Sequence, residues 1–406
     1  MEKCLGMEGT VMNVDSKYDS RVRLIGLEKM WSWHPCSLIL IKKNSSDDDK
    51  QGAESTGLKL DGSGQTEILK AFLSLLKKKA GSLSDSDSGE GGEESQLIKA
   101  AKRGNVERVV EILSISPEKA NAKVGGKTAL HLAAAHGHLE VVQALLESGA
   151  EIDITTVDSG STPLHYSVEG DEPAITKYLI GKGADINRGN DNGRRAIHQA
   201  AYKGFVDCAR VLINLGCDVN LQDTEEDTPL HDAIIKSRVD VIELLVKVPN
   251  LDVTLANTRG FTALQLAAFM DRPEAAELIA QSCPQSIVVA RDDGHTVLHI
   301  GAVNGHVEVM KVVMAVKDHG LDVNAKNVQG LTALHLAAHE GKSHSIEFLL
   351  SQGADINLQS NDDHTALHLL ASKARKDPSD IEDSPTLRKI RKRFRDCGVD
   401  NSAAAA

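Results

Sequence analysis

The chain has 406 residues, a net charge of −12 and only 3% aromatic residues. The negative charge argues against a nucleic-acid-binding protein that depends on phosphate contacts. No run of about 18 apolar residues is present, which argues against a membrane span. The six cysteines include no CxxC pair, which predicts reduced thiols in a cytoplasmic protein and no zinc site in this chain.

Residues 1–42 are predicted to form part of a small β-barrel. Apolar and polar residues alternate in Gly9–Val14 and again in Arg21–Leu24, as in strands that bury one face. A tryptophan-containing block, Trp31–Leu38, follows these two segments. We therefore expect a partial β domain ahead of the rest of the chain.

Residues 43–94 are rich in Ser, Asp, Gly and Glu and are predicted to be a disordered acidic linker. Within the linker, residues 65–80 are predicted to form an amphipathic helix. Its apolar face consists of Ile68, Leu69, Phe72, Leu73 and Leu76. This helix could dock on the chain's own domains, or bind a partner or a membrane surface. Three serines in acidic sequence, Ser84, Ser86 and Ser88, fit an acidophilic kinase.

A motif of the form Thr-Pro/Ala-Leu-His recurs through the remainder of the chain. The first position of its eight copies is occupied by Thr128, Thr162, Arg195, Thr228, Thr262, Thr296, Thr332 and Thr365, at steps of 33 to 36 residues. A period of about 33 residues with this motif resembles the ankyrin repeat. The resemblance implies an all-α solenoid of helix-turn-helix units with β-hairpin tips, which binds proteins and is not a catalyst.

About nine units are expected over residues 95–401, with polar caps at both ends and residues 402–406 as a tail. In a typical unit Thr128 caps the first helix and Gly137 ends it in the left-handed conformation. In the last unit, an insertion of about 12 residues is expected around Lys376–Asp383. A basic second helix near Pro385–Cys397 would then form the C-terminal cap.

Histidine occupies the final motif position in seven copies, at His131, His165, His198, His231, His299, His335 and His368. Neighbouring histidines are one repeat apart, about 10 Å in stacked helices, whereas a zinc ion needs ligands at about 2 Å. We therefore interpret them as structural residues that bridge backbone groups of adjacent turns. No nucleophile–base set or phosphate-binding loop appears, so no catalytic, metal or cofactor site is predicted.

Partner specificity is expected at the residues that follow the small residues of each first helix. This column contains Ala135, Val168, Tyr202, Ile235, Phe269, Val303 and His339. Its middle section, Tyr202, Ile235, Phe269 and Val303, forms an apolar stripe, with Lys203 and Lys236 beside it. These residues either line a peptide-binding groove on the concave face, where the lysines would hold an acidic partner, or pack on neighbouring tips.

Two tips lack the usual glycine, which is replaced by Glu226 and Asp363 and leaves both tips strongly acidic. They are either solvated loops or sites for a basic ligand. Asn187, Asn220 and Asn357 resemble asparagines that oxygenases hydroxylate in ankyrin repeats. The alternative is that these asparagines only shape the tips.

The N-terminal block adds a second resemblance. Gly9–Val11, Arg21–Leu24 and Trp31–Leu38 resemble the end of a Mib repeat, with His34 in place of the usual Asn. The order of partial Mib repeat, linker and ankyrin array is similar to mind bomb proteins, as is the Gly216–Leu221 segment.

The mind bomb resemblance implies a RING-type E3 ubiquitin ligase that acts on Notch ligands such as Delta. The zinc-binding family domains and the RING fingers are not expected in this chain, so it would supply a scaffold and not the transferase. The alternative hypothesis is a stand-alone ankyrin adapter with no ubiquitin role. Both hypotheses predict other proteins as partners, and neither predicts a nucleic acid.

Overall fold

The computed structural model describes residues 93–316, 320–376 and 392 of the chain. Within these residues the protein is an all-α solenoid of 17 α-helices and two short 3₁₀-helices, Pro117–Asn121 and Pro284–Val288. The partial β-barrel, the linker helix and the acidic serines predicted from the sequence lie outside the described residues.

The helices form successive antiparallel pairs, each made of a first and a second helix. The first helices are α1 (Glu93–Arg103), α3 (Ala129–Ala135), α5 (Pro163–Glu169), α7 (Ala196–Lys203), α9 (Pro229–Ile235), α11 (Ala263–Phe269), α13 (Val297–Asn304), α15 (Ala333–Glu340) and α17 (Ala366–Lys376). The second helices are α2 (Val106–Ile115), α4 (Leu139–Glu147), α6 (Pro173–Gly181), α8 (Val206–Asn214), α10 (Val239–Leu245), α12 (Pro273–Ser282), α14 (Val307–Met314) and α16 (Ser343–Ser351). The described chain therefore holds eight complete pairs and the first helix of a ninth unit.

Each first helix packs on the first helices of the units before and after it, and each second helix does the same in its own layer. Small residues allow this close approach: Ala133, Ala134, Ala200 and Ala201 are fully buried between neighbouring helices. The buried side chains form two connected clusters, which meet in α13 and α14. A solenoid of this kind is stabilised by contacts between nearest-neighbour repeats rather than by one central core.

Seven of the nine first helices in the described residues begin at a threonine of the repeated motif, and α7 begins at Arg195. Thr228, for example, has extended backbone, and its hydroxyl accepts a hydrogen bond from the His231 amide at 3.5 Å. Proline at the next position, as at Pro229, costs no hydrogen bond because the first amides of a helix have no partner within it. The short motif therefore fixes where each unit starts.

The loops between units are tight turns and not the β-hairpins that the sequence analysis predicts, because the described residues contain no β-strand. Two isolated bridges occur, at Val124–Lys127 and Ala256–Thr262. Each tip is closed by one or two backbone hydrogen bonds, such as Thr156 N–H to Ser161 O at 2.9 Å, which are too few for a strand ladder. Neighbouring tips are joined by a further bond, as between Val157 N–H and Gly126 O at 3.1 Å.

The acidic tip residues occupy the left-handed positions that glycine fills elsewhere. Glu226 has φ of 58° and Asp363 has φ of 61°, compared with 78° at Gly126. Beyond α17 the ninth unit is described only at Lys392, which is helical, so the rest of its predicted insertion, second helix and tail lie outside the described residues. No helix in the described part of the chain is long and apolar enough to cross a membrane.

Candidate partner-binding face

The predicted stripe lies in the last turns of four successive first helices: Tyr202 in α7, Ile235 in α9, Phe269 in α11 and Val303 in α13. Tyr202 is 36% exposed and Phe269 is 42% exposed, while Ile235 and Val303 are half-buried. The helix residues just before them are mostly buried between units. The stripe is therefore an exposed apolar edge on the face that the first helices form together.

One member of the predicted column is placed incorrectly by the sequence analysis. Val168 is fully buried, and its neighbour Glu169 is the exposed residue of α5. Counting seven residues from the cap Thr162 leads to Glu169, just as counting seven from Thr262 leads to Phe269. Since one helical residue turns the side chain by about 100°, a one-residue error moves it from the surface into the core. The exposed column therefore has a carboxylate at Glu169, one unit before its apolar section begins at Tyr202.

Tyr202 lies within a cluster of charged groups. The Lys236 ammonium is 4.5 Å from the centre of its ring, and the Arg194 guanidinium carbon is 5.3 Å away. The Arg238 side chain donates a hydrogen bond to the Tyr202 carbonyl at 3.3 Å. Lys236 lowers the pKa of the Tyr202 hydroxyl by hydrogen bonding to it, and the charge of Arg194 acts in the same direction. Two cationic side chains, Lys236 and Arg194, therefore contact the exposed ring at this end of the stripe.

Arg194 also forms a partly buried ion pair between units. Its guanidinium is 2.6 Å from the Asp232 carboxylate on α9 and 3.1 Å from the Asp223 carboxylate in the next tip. Burial raises the pKa of Asp232 to about 7, and the charge of Arg194 opposes that rise. Asp232 is almost completely buried. Both carboxylates are therefore occupied by Arg194 and do not neutralise Lys236.

Phe269 contacts another aromatic ring, whereas Tyr202 contacts charged groups. The Phe269 ring stacks on the ring of Phe261 with centroids 5.0 Å apart, and the Arg291 guanidinium lies 4.5 Å from the Phe261 centroid. Phe261 is buried, so it fixes the more exposed Phe269 from beneath. Sequence reasoning did not include Arg194, Asp232 or Phe261 in the site. Arg194 and Phe261 could be found from their positions in the sequence, because each lies eight residues before an aromatic residue of the stripe.

The motif histidines lie between the cap of one unit and the tip of the next. The Nδ1 atom of His131 accepts from the Thr128 amide at 3.2 Å and from its hydroxyl at 2.8 Å, and Nε2 donates to the Ser161 carbonyl at 3.0 Å. His165, His198, His231, His299 and His335 make the same type of Nε2 contact with carbonyls 29 to 32 residues later. His368 accepts from the Thr365 amide through Nδ1 at 3.2 Å. Both nitrogens of the first six rings are thus engaged in hydrogen bonds.

Among the described residues, no group of three or more His, Cys, Asp or Glu side chains is arranged to hold a metal ion. Cys208, Cys217 and Cys283 are buried free thiols. Burial raises the pKa of Cys208 and of Cys217 to about 12, which keeps both thiols protonated at neutral pH. These cysteines are packing residues and not nucleophiles.

Two of the asparagines connect successive loops. Asn187 accepts from the Asp218 amide at 2.9 Å, and Asn220 accepts from the Asp252 amide at 2.8 Å. The backbone amide of Asn357 donates to its own neighbour Asp355 at 2.9 Å. These contacts give Asn187 and Asn220 a structural role, and their hydroxylation stays a prediction.

The comparison with protein families agrees with this architecture. A family model described as ankyrin repeats in three copies matches six overlapping segments that together run from residue 61 to residue 377. The chain belongs to the ankyrin-repeat family. The repeated motif, the paired helices and the family match therefore all support a protein-interaction scaffold.

Several curated proteins are similar to parts of the array. A probable E3 ubiquitin-protein ligase of rice, XBOS33, is 33% identical over 133 residues, which are 32% of this chain and 24% of that protein. The E3 ubiquitin-protein ligase XBAT32 of Arabidopsis thaliana is 32% identical over 143 residues, covering 34% of this chain and 26% of that protein. The mouse B-cell lymphoma 3 protein homolog is 38% identical over 85 residues, covering 21% and 19%. The alignments thus span between 19% and 26% of these relatives' lengths.

Proposed function

We propose that the array is the partner-binding scaffold of a ubiquitination pathway and that its stripe captures a partner protein. The observation that carries the proposal is the exposure of Tyr202 and Phe269 in a first-helix layer whose other large apolar residues are buried or half-buried. Exposed aromatic side chains that are held by fixed neighbours lose little entropy on binding, and such residues dominate interface energies.

The ubiquitin assignment is supported by two independent similarities. Two of the relatives described above are named as ubiquitin-protein ligases. The Trp31–Leu38 block and the order of segments resemble mind bomb proteins, whose substrates are Notch ligands. We accordingly propose a mind-bomb-like ligase scaffold as the more specific function, with Notch-ligand proteins as its partners.

The experiment for the scaffold replaces both aromatics, as Tyr202→Asp with Phe269→Asp. The tagged proteins would be used to recover partners from cells that express the chain, with quantitative mass spectrometry. Leu215→Asp is a matched control, because Leu215 is exposed to the same extent as Phe269 but lies next to a second helix, α8. We expect the double variant alone to lose a defined set of partners, with an unchanged circular dichroism spectrum. Equal recovery of partners by the unaltered protein, the double variant and the Leu215→Asp control would refute the proposal that the stripe binds partners.

The alternative is a stand-alone adapter, and a second experiment separates the two. Native complexes would be isolated with an antibody against the array and supplied with ATP, ubiquitin, E1 and a panel of E2 enzymes. Ubiquitin chains on partners that depend on the stripe support the ligase pathway. Capture of those partners without any ubiquitin transfer supports the adapter.

A further inference from the structure

The stripe is not chemically uniform along its length. In the α7 and α9 units it is bordered by the lysines Lys203 and Lys236, whereas the α11 and α13 units present Met270 and Asn304 at the equivalent positions. At this position the stripe therefore carries a lysine in two units and an uncharged residue in the next two. This local positive charge occurs in a chain whose net charge is −12.

The two lysines are exposed and available to a ligand. Within the described residues, neither ammonium forms an ion pair with a carboxylate. The nearby acids Asp223 and Asp232 are bound to Arg194 at 3.1 and 2.6 Å. The Lys236 ammonium lies over the Tyr202 ring, 4.5 Å from its centroid. A partner carboxylate could therefore approach both lysines without displacing an existing ion pair.

The uncharged half of the groove offers an apolar surface. Phe269 is 42% exposed and rests on the buried Phe261, and Ile235 and Val303 lie on either side of it in the neighbouring units. A large aliphatic or aromatic side chain placed there would lie across three first helices. The two chemistries adjoin each other, because Ile235 and Lys236 are consecutive residues.

We propose that the groove binds an extended acidic segment of a partner protein that carries a large apolar side chain close to its acidic residues. This inference rests on the proposed scaffold function and specifies the chemistry of its ligand. The carboxylates contact Lys203 and Lys236, and the apolar side chain packs on Phe269. The charged half sets the orientation and specificity, and the apolar half supplies most of the binding energy.

The spacing of the helices constrains the ligand further. Packed helices lie about 8–10 Å apart, and an extended chain advances about 3.3 Å per residue. One step between units therefore corresponds to about three residues of ligand. The acidic residues should accordingly be about three to six residues from the apolar one.

The test uses fluorescent synthetic peptides of 12 residues. One set carries two glutamates placed three to six residues from a leucine or phenylalanine in a serine-glycine background. Matched sets replace the glutamates with lysines, or the apolar residue with serine. Fluorescence anisotropy would measure affinity for the full chain at low and at physiological salt. We expect the acidic-apolar set to bind at least tenfold more tightly than either matched set, with affinity falling as salt rises.

Two variants locate the binding site. Lys203→Glu with Lys236→Glu is expected to weaken the acidic-apolar peptides at least tenfold. Lys182→Glu is the control, because Lys182 is also an exposed lysine over a tyrosine, 5.4 Å from the Tyr178 centroid, but it lies at the end of the second helix α6. It should leave the affinity unchanged. A circular dichroism melt confirms that each variant is folded.

Equal affinity for the three peptide sets, or an unchanged affinity in the double lysine variant, would overturn the inference. If the stripe variants still lose their cellular partners in that case, the scaffold function stands and only the ligand chemistry is wrong. If neither the peptides nor cellular partners depend on the stripe, the proposed function fails as well.

Discussion

Acid should destabilise the array through its motif histidines, and His131 allows this to be measured for one ring. Burial lowers the pKa of His131 from 6.5 to about 4, because the charged ring would lose its hydration. The charges of Lys123 and Lys127 also lower the pKa of His131. The folded pKa is below the unfolded one, so the stability it contributes is complete above pH 6.5 and is lost as the pH falls toward 4.

The magnitude follows from the two pKa values. At pH 5.5 the unfolded ring is about nine-tenths protonated while the folded ring stays neutral, which costs about 1.4 kcal/mol of unfolding free energy. Another repeat of the same chain shows which residue can replace the histidine without titrating. Gln265 occupies the histidine position, where it accepts from the Thr262 amide at 3.0 Å and donates to the Val289 carbonyl at 2.9 Å. His131→Gln can therefore keep both backbone contacts without a titrating group.

The assay is urea unfolding followed by circular dichroism at pH 7.5, 6.5 and 5.5 and constant ionic strength. We expect His131→Gln to be about 1 kcal/mol less stable at pH 7.5, because the Thr128 hydroxyl loses its partner. Between pH 7.5 and 5.5 the original protein should lose about 1.4 kcal/mol more than the variant. The raised pKa of Asp232 affects both proteins equally and cancels in the difference. Parallel stability curves would refute the reasoning.

Three further substitutions test individual contacts by urea unfolding at pH 7.5. Gln265→His should stabilise the protein by about 1 kcal/mol, because the buried Thr262 hydroxyl has no hydrogen-bond partner within the described structure; a loss of stability would contradict this. Glu226→Gly should stabilise by about 1 kcal/mol by relieving a left-handed backbone at φ of 58°, and no gain would show that the tip is unstrained. Arg194→Met should destabilise by about 3 kcal/mol by leaving Asp232 unpaired, and adding Asp232→Leu should recover most of that loss; additive losses would contradict the ion pair's role.

The sequence predicts the unit boundaries well because each depends on local chemistry. Thr228 begins its helix and Gly137 ends its helix for reasons contained within a few residues. The ion pair between Arg194 and Asp232 could not be predicted in the same way, since it joins residues 38 positions apart in two units. Val168 is misplaced for a different reason. The prediction takes the residue that follows the small residues of each first helix, and in α5 the single small residue Ser167 puts that position one residue too early.

The repeat motif is degraded in three of the four units that carry the stripe, those of α7, α11 and α13, and is intact in the α9 unit. Arg195 replaces the cap threonine at the start of α7, and its guanidinium instead donates to the Gly193 and Gln222 carbonyls, both at 2.6 Å. Gln265 replaces the histidine at the start of α11. These departures lie at the first turns of the helices, whereas Tyr202 and Phe269 lie in the last turns. The residues that begin these helices and the residues proposed to bind a partner thus lie at opposite ends of the same helices. Gln265→His should therefore raise stability while leaving the peptide affinity of the stripe unchanged, and a change in affinity would show that the two ends are coupled.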